Sequence, residues 1–196
     1  KDAIVTDIDR KPKKTFAPGL YDLTELQRDA NKMFGYSAKE TLNYMQKLYE
    51  QHKVLTYPRT DSRFISQDIV ATLPERLRAC GIGEYRSLTN KVLNKPIKVS
   101  KSFVDDSKVS DHHAIIPTEG YVNLSAMTDK ERKIYDLVVK RFIAVLFPAY
   151  EYEQLTVNTR IGDETFVARG KTVLNAGWKE VYDNRFEDED QGEDVK

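Results

Sequence analysis

The chain has a single cysteine, three histidines and no long apolar run. The lone Cys80 excludes an internal disulfide bond and a zinc site built from several thiolates, and we expect it to be a small buried apolar residue. No apolar stretch approaches the ~20 residues that cross a bilayer. Residues 1–14 lack the apolar block of a secretory signal. These absences predict a cytoplasmic protein that does not contact a membrane.

The chain also lacks a net charge, but its 31 basic and 31 acidic residues are unevenly distributed. Residues 187–196 contain six acidic residues and one basic residue, which leaves 30 bases against 25 acids in residues 1–186. That larger part is therefore mildly basic, which permits DNA binding without requiring it. We expect residues 187–196 to be a disordered acidic tail.

Both ends of the chain show a β pattern. Apolar residues alternate within residues 1–20 and again from Tyr150 onward, where Gly162-Asp163 predicts a hairpin turn. Because these two β regions enclose a helical block, we expect residues 1–20 and 150–185 to pair although they are distant in sequence. The predicted fold class is α+β, with a mainly helical domain inserted into a sheet.

Local signals mark the starts and ends of helices. Candidate capping boxes occur at three places, namely Thr24 with Gln27, Ser37 with Glu40, and Thr128 with Glu131. Gly35 is expected to end the first helix and Pro148 the last. Ser66 is expected to start a further helix that is kinked at Pro74. The basic run at residues 11–14 predicts a turn.

Residues 54–63, VLTYPRTDSR, place a tyrosine among cationic, acidic and hydroxyl side chains at the end of a predicted short strand, and we name them the tyrosine segment. A phenol with a reference pKa of about 10 is a weak nucleophile at neutral pH, so a catalytic tyrosine needs positive charge nearby. Side chains two apart on an extended segment project to the same side. Tyr57 and Arg59 can therefore face one phosphate, with the guanidinium on its non-bridging oxygens while the phenol attacks phosphorus.

The neighbouring side chains suggest supporting roles. Asp61 would repel a phosphate, so we expect it to orient Arg59, whereas Thr60 and Ser62 are candidate phosphate donors. Spacing alone favours a plainer interpretation of Tyr57, because a tyrosine that closes a strand is usually a half-buried packing residue. The residue types by themselves leave both interpretations open.

Residues 110–118, SDHHAIIPT, contain two of the three histidines, and we name them the histidine segment. Adjacent side chains point in different directions, so we expect only one of His112 and His113 to face a reacting group. A protonated imidazole stabilises a phosphate, and histidine changes charge near neutral pH. Two histidines without further ligands make a weak metal site, and we predict none. A solvent-exposed polar pair is the alternative, and His52 is expected to be exposed.

The tyrosine segment resembles the active-site tyrosine motif of type IA DNA topoisomerases, and the histidine segment resembles the histidine motif of their topoisomerase III branch. The resemblance implies that Tyr57 attacks single-stranded DNA, forms a transient 5′-phosphotyrosyl bond, and allows strand passage and resealing without ATP. It implies that Tyr57, Arg59 and His112 are catalytic. The residues that it assigns to DNA binding are Thr60, Ser62, Arg63 and His113.

The resemblance also implies a multidomain organisation. Residues 22–148 would form the winged-helix-like domain that carries the tyrosine. Residues 1–21 and 149–186 would be β segments of an arch domain that serves as its hinge, followed by the acidic tail at 187–196.

Complete enzymes of this family have an N-terminal TOPRIM domain, which binds Mg²⁺ and supplies a catalytic lysine. We expect the chain to be a fragment without this domain, which would itself bind no Mg²⁺ and would not cleave DNA at a useful rate. The expected partners are single-stranded DNA, the TOPRIM domain of the same polypeptide, and a helicase. The expected location is the cytoplasm, in association with the nucleoid.

Other function classes remain open on the sequence. A winged-helix DNA-binding module would use Arg59, Arg63 and His112 only to contact phosphates. A structural or protein-interaction domain would show no salt-dependent DNA affinity. A type IB topoisomerase or tyrosine recombinase is expected to carry several separated arginines around its tyrosine.

Overall fold

The computed structural model describes residues 1–186. The chain forms two compact units. The sheet unit comprises residues 1–17 and the chain from Pro148, and the helical unit comprises residues 18–147. The predicted acidic tail, residues 187–196, lies outside the described residues.

The sheet unit confirms the predicted pairing of the two ends of the chain. Its strands are β1 (Ala3–Thr15), β2 (Tyr150–Ile161) and β3 (Glu164–Asn175), in the order β1-β2-β3, with both neighbouring pairs antiparallel. The predicted hairpin turn at Gly162-Asp163 joins β2 to β3, and Gly162 adopts a φ of 64°. Together with the helical unit, this sheet confirms a mixed α+β protein.

The predicted turn at residues 11–14 is wrong, because β1 continues through this run to Thr15. Pro12 lies opposite Glu153 in the ladder. A proline cannot donate a ladder hydrogen bond, but β1 is an edge strand, where proline is tolerated. The sequence signal for a turn was therefore overridden by the position of the strand.

A 3₁₀ segment, Gly177–Phe186, follows the sheet. Trp178 is buried, and its Nε1–H donates to the Thr15 carbonyl over 3.0 Å. The indole therefore has a packing role. Gly177 has a φ of 53°, and a Cβ at this position would collide with the Ala149 carbonyl, so only glycine fits this turn.

The helical unit contains, within the described residues, six α-helices. They are α1 (Leu23–Phe34), α2 (Ala38–Glu50), α3 (Gln67–Val70), α4 (Leu73–Cys80), α5 (Arg86–Leu93) and α6 (Asp129–Val145). The capping boxes predicted for α2 and α6 are confirmed, since Ser37 and Thr128 each exchange hydrogen bonds with Glu40 and Glu131 respectively. Each box satisfies backbone donors that a helix start would otherwise leave unpaired.

The start of α1 differs from the prediction. Its N-cap is Asp22, whose carboxylate accepts from the Glu25 N–H over 2.7 Å, and Thr24 lies inside the helix. The predicted box of Thr24 with Gln27 is therefore wrong, because the preceding carboxylate takes the cap position. The predicted end of the helix at Gly35 is confirmed, with a φ of 71°.

The segment between α2 and α6 is more broken than predicted. The helix expected from Ser66 is divided into α3 and α4, and Pro74 lies in the first turn of α4 rather than at a kink. Proline is tolerated there because the first turn has no intrahelical acceptor for its missing N–H. Helix α5 was not predicted, and its N-cap position, Tyr85, makes no side-chain capping bond that the sequence could signal.

The core of the helical unit is built around α6, which packs against α1, α2 and α5. Ile134, Val138 and Phe142 are buried on it, as the apolar spacing predicted. Cys80 is also buried, and burial raises the pKa of its thiol to about 12, which confirms its expected role as an inert apolar residue. None of the helices in residues 1–186 is long and apolar enough to cross a bilayer.

Candidate active site

The tyrosine and histidine segments lie side by side in the helical unit. Leu55 and Pro117 form an antiparallel β-bridge. The Thr56 N–H donates to the Ile116 carbonyl over 3.0 Å, and the Ile116 N–H donates to Thr56 Oγ1 over 3.0 Å. The predicted strand at residues 54–57 is therefore reduced to a single bridge, which is enough to fix the register of the two segments.

This bridge brings together two of the predicted catalytic residues. The rings of Tyr57 and His112 are stacked, with centroids 4.1 Å apart and planes inclined by 27°. Tyr57 is half-buried and His112 is exposed, so the pair lies at the surface with one side open to solvent. A phenol and an imidazole are thus both accessible to the same incoming group.

A second tyrosine, which the sequence pattern did not assign to the site, supports Tyr57. Tyr49 lies near the end of α2, and its ring meets that of Tyr57 edge to face at 5.6 Å and 84°. The sequence feature that could have indicated this contact is the position of Tyr49 on the apolar face of α2, shortly before the tyrosine segment. This T-shaped contact restricts the positions that the Tyr57 ring can occupy.

Arg59 and Asp61 are both exposed. Within the described residues, neither side chain forms a hydrogen bond or an ion pair. The Arg59 guanidinium is therefore accessible to an anion. The expected orienting contact from Asp61 is not formed in this structure, and that role stays a prediction.

Thr60 and Ser62 are buried, with hydroxyl groups that face the protein. Thr60 Oγ1 donates to the His112 carbonyl over 3.4 Å and accepts from the Ser62 N–H over 3.1 Å. Ser62 Oγ donates to the Lys108 carbonyl over 2.7 Å. These bonds tie the tyrosine segment to the chain around His112, while the predicted phosphate contacts of the two hydroxyls stay predictions.

Arg63 is half-buried and bonded to backbone. Its Nε–H donates to the Leu20 carbonyl over 2.9 Å and its Nη2–H to the Gly19 carbonyl over 3.3 Å. Arg141 of α6 also donates to the Gly19 carbonyl, over 2.9 Å. Two arginines thus hold the segment that precedes α1 against the tyrosine segment and α6, whereas the DNA contact assigned to Arg63 stays a prediction.

His113 is half-buried, and its imidazole is bonded to backbone. Its Nδ1 lies 2.6 Å from its acceptor, the Ala114 carbonyl, and the Ala114 N–H donates to the Phe64 carbonyl over 2.9 Å. Burial lowers the pKa of His113. The neutral imidazole is therefore favoured, which suits a structural neighbour of His112 and leaves its assigned DNA contact a prediction.

The prediction that His52 is simply exposed is wrong. Its Nε2 lies 3.1 Å from a buried carboxylate oxygen of Glu131, and its side chain is only 18% exposed. The same oxygen of Glu131 accepts from the Thr128 N–H over 3.1 Å. His52 therefore ties the end of α2 to the start of α6, a contact between distant residues that no local signal indicates.

Residues 1–186 bring together no group of three or more histidine, cysteine or acidic side chains that could hold a metal ion. One acidic pair, Asp7 and Asp9, has Asp-x-Asp spacing on β1, ahead of the tyrosine segment. Asp9 instead pairs with Lys11 over 3.3 Å. The side chains described here therefore do not fit a magnesium site, and no catalytic step is assigned to a metal held by them.

Comparison of the sequence with known proteins identifies several relatives. A family model described as DNA topoisomerase matches residues 1–196. The chain is 81% identical over 194 residues to DNA topoisomerase 3 of Bacillus thuringiensis (strain Al Hakam), covering 99% of the chain and 27% of the relative. It is 59% identical over 196 residues to DNA topoisomerase 3 of Bacillus licheniformis, covering 100% of the chain and again 27% of the relative. The chain thus spans about a quarter of the length of these relatives.

The fold also has a solved counterpart. Full-length topoisomerase I from Thermotoga maritima aligns with a TM-score of 0.67 at 23% identity, over 92% of this chain and 29% of that one. At this identity the likeness shows the fold alone. The family model, by contrast, covers every residue, and the relatives in Bacillus are close. The chain belongs to the DNA topoisomerase family, in the type IA topoisomerase III branch that its two motifs resemble.

Proposed function

We propose that Tyr57 is the nucleophile of a type IA topoisomerase that cleaves and reseals single-stranded DNA. The phenol oxygen forms a bond to phosphorus, the bond from phosphorus to the 3′ oxygen breaks, and the proton lost by the phenol is balanced by the one gained at the 3′ hydroxyl. The 5′ end stays on Tyr57. Because one phosphodiester replaces another, the reverse step reseals the strand without ATP. The stacking of Tyr57 on His112 carries this proposal.

Arg59 and His112 provide the positive charge that the step requires. His112 is exposed beside Tyr57, and the exposed Arg59, two residues along the chain from Tyr57, is accessible to a phosphate oxygen. A guanidinium binds two non-bridging oxygens at once, and a protonated imidazole adds a second donor. Their charge stabilises the phosphorane-like transition state more than the ground state, which is how such groups accelerate a reaction.

The surrounding residues position these three groups. Thr60 and Ser62 hold the tyrosine segment against the backbone at His112 and Lys108. Arg63 fixes the far end of the segment to the chain before α1. When DNA binds, Asp61 turns toward Arg59 and orients it, and the hydroxyls of Thr60 and Ser62, the guanidinium of Arg63 and His113 contribute to the DNA surface.

At the level of domains, we assign the tyrosine-bearing, winged-helix-like domain to residues 22–148. The β segments at 1–21 and 149–186 belong to an arch whose hinge lets this domain move away from the cleaved end. The division of the chain after residues 17 and 147 supports these boundaries.

The metal-binding part of the active site belongs to another domain of the complete enzyme. In the complete enzyme, Mg²⁺ held by a TOPRIM domain would stabilise charge at the phosphate. The chain by itself binds single-stranded DNA weakly and does not cleave it at a useful rate. The complete enzyme acts in the cytoplasm at the nucleoid, with a helicase as partner.

The test uses the full-length polypeptide that contains this chain. Tyr57→Phe is expected to abolish relaxation of a negatively supercoiled plasmid in the presence of Mg²⁺. Tyr121→Phe is the matched control, because Tyr121 is 87% exposed and lies outside both segments, and it should retain wild-type activity. Full activity of Tyr57→Phe would contradict the proposal and favour a winged-helix module that binds DNA without covalent chemistry.

A further inference from the structure

The two faces of the β-sheet differ in charge. Residues directly opposite each other in an antiparallel ladder lie on the same face, and successive residues along a strand lie on opposite faces. The register places Lys11 opposite Gln154, and Gln154 opposite Lys171. It likewise places Thr156 opposite Arg169. One face therefore collects the following five basic side chains, which we name the cationic face: Lys11, Lys13, Arg160, Arg169 and Lys171.

The opposite face has no such excess. On the cationic face the acidic side chains are Asp7 and Asp9, so the basic side chains outnumber them. The opposite face carries two basic and three acidic side chains, which are Arg10, Lys14, Glu151, Glu153 and Glu164. The near-neutral composition of the chain thus conceals a sheet with one positive side.

The cationic face has a regular layout. Its basic side chains lie on the outer strands β1 and β3 and at one end of β2, while the central part of β2 presents the uncharged hydrogen-bonding side chains of Gln154, Thr156 and Asn158. Neighbouring strands are ~4.8 Å apart, so the two outer rows of basic side chains are separated by about 10 Å. This arrangement forms a polar strip with positive charge along β3 beside Gln154 and Thr156 and along β1 beside Tyr152 and Gln154. Asp9 lies opposite Thr156 on the β1 side and pairs with Lys11 over 3.3 Å.

Aromatic rings lie at one end of the strip. Tyr150 and Tyr152 lie on the same face, with ring centroids 5.3 Å apart, and the Lys171 ammonium is 5.1 Å from each centroid. Tyr152 is half-buried and Tyr150 is buried, so only the Tyr152 ring is available to a nucleobase. Lysines interleaved with aromatic rings are typical of surfaces that bind single strands, where cations contact phosphates and rings contact nucleobases.

We propose that the cationic face binds single-stranded DNA, with phosphates on Lys11, Lys13, Arg169 and Lys171 and with nucleobases over Gln154 and Thr156. All four of these cationic side chains are exposed. The single strand is favoured over a duplex because the central strip offers amides and hydroxyls to nucleobase edges, which only unpaired nucleobases expose fully. This site is additional to the proposed cleavage site, since it lies in the sheet unit and requires no covalent chemistry.

The test is a fluorescence-anisotropy titration of this 196-residue chain with a labelled oligothymidine at several salt concentrations. The double substitution Lys11→Gln/Lys13→Gln should weaken binding several-fold. It should also reduce the slope of log K against log salt by about 1.4, for two lost phosphate contacts on a single strand. The matched control is Arg10→Gln/Lys14→Gln, which removes the same charge from the same strand but from the opposite face, and it should leave affinity and slope unchanged.

Two further sets of variants distinguish a specific DNA surface from a general effect of charge. Lys11→Arg/Lys13→Arg keeps the charge and should retain wild-type binding. The titrations are also repeated in an Arg59→Gln/His112→Ala background, so that the cationic face is tested whether or not the cleavage site binds DNA.

Three outcomes would overturn the proposal. Equal losses from both glutamine pairs would show a non-specific charge effect. No loss from either pair would leave the lysines as edge-strand charges that prevent aggregation. Equal competition by an oligothymidine–oligoadenosine duplex would overturn the assignment to single strands.

Discussion

The ring of Tyr57 lies against the ring of His112, with centroids 4.1 Å apart. Neither segment could place its aromatic side chain there alone. The contact depends on the β-bridge between Leu55 and Pro117, and on the bond from Thr60 Oγ1 to the His112 carbonyl. The site therefore depends on pairing between two distant segments. Substitutions can distinguish the residues that act on DNA from the residues that hold the two segments together.

If protonated His112 contacts DNA, the affinity of the chain for single-stranded DNA should fall as pH rises and imidazole groups lose their charge. His112→Ala should flatten this dependence in anisotropy titrations. His52→Gln is the control, because it removes a histidine outside both segments, its amide can replace the Nε2 contact with Glu131, and the dependence should stay intact. An unchanged profile in His112→Ala would remove His112 from the binding site.

His113 predicts a different pH effect, on stability. Burial lowers its pKa in the folded protein below the ordinary value of 6.5, so the unfolded chain binds the proton more readily. Its contribution to stability is therefore present above that ordinary value and is lost as pH falls through the lowered pKa. Urea unfolding at a series of pH values should show a smaller acid-side loss of stability in His113→Asn than in the wild type. Equal losses would disprove a buried neutral imidazole.

Ser62→Ala tests the scaffold role of the tyrosine segment. The substitution should lower the free energy of unfolding by about 1–2 kcal/mol, because it leaves the Lys108 carbonyl without its buried donor. Ser125→Ala removes an exposed hydroxyl and should change stability little. Urea unfolding gives the free energy of unfolding of both variants for comparison with the wild type. If Ser62→Ala weakened DNA binding at unchanged stability, the hydroxyl would be a phosphate donor instead.

Tyr49→Leu tests whether the edge-to-face contact positions Tyr57. Such a contact contributes about 0.5–1.5 kcal/mol, so its loss should slow cleavage by the full-length enzyme about two- to tenfold. Tyr49→Phe keeps the ring and should retain the wild-type rate. A single-turnover assay separates this effect from DNA binding, which should not change. Equal rates for both variants would show that Tyr49 serves only the core.

Local sequence signals predicted much of the scaffold. The capping boxes that start α2 and α6 and the Gly162-Asp163 turn each depend on a few adjacent residues, and all three are present. Pro12 was misinterpreted because its tolerance depends on β1 being an edge strand, which is a property of the whole sheet. Asp22 was missed as the N-cap of α1 because a second candidate pair lay two residues further on.

The sequence indicated candidate residues for the site but not how they are arranged. The two motifs indicated Tyr57, Arg59 and His112, yet the stacking of rings and the support from Tyr49 arise from long-range packing. Likewise, nothing local to His52 indicates that Glu131 lies beside it. Such contacts require knowledge of which segments meet, and periodicity within one segment carries no such information.

The central claim, that Tyr57 holds the broken strand, is tested most directly by trapping the covalent intermediate. The full-length enzyme is incubated with a labelled single strand and Mg²⁺, denatured and digested with a protease, and the DNA-linked peptide is identified by mass spectrometry. We predict a single adduct, on the peptide that contains Tyr57, with the 5′ phosphate attached and no adduct in Tyr57→Phe. An adduct on another tyrosine, or attachment through the 3′ phosphate, would contradict the account.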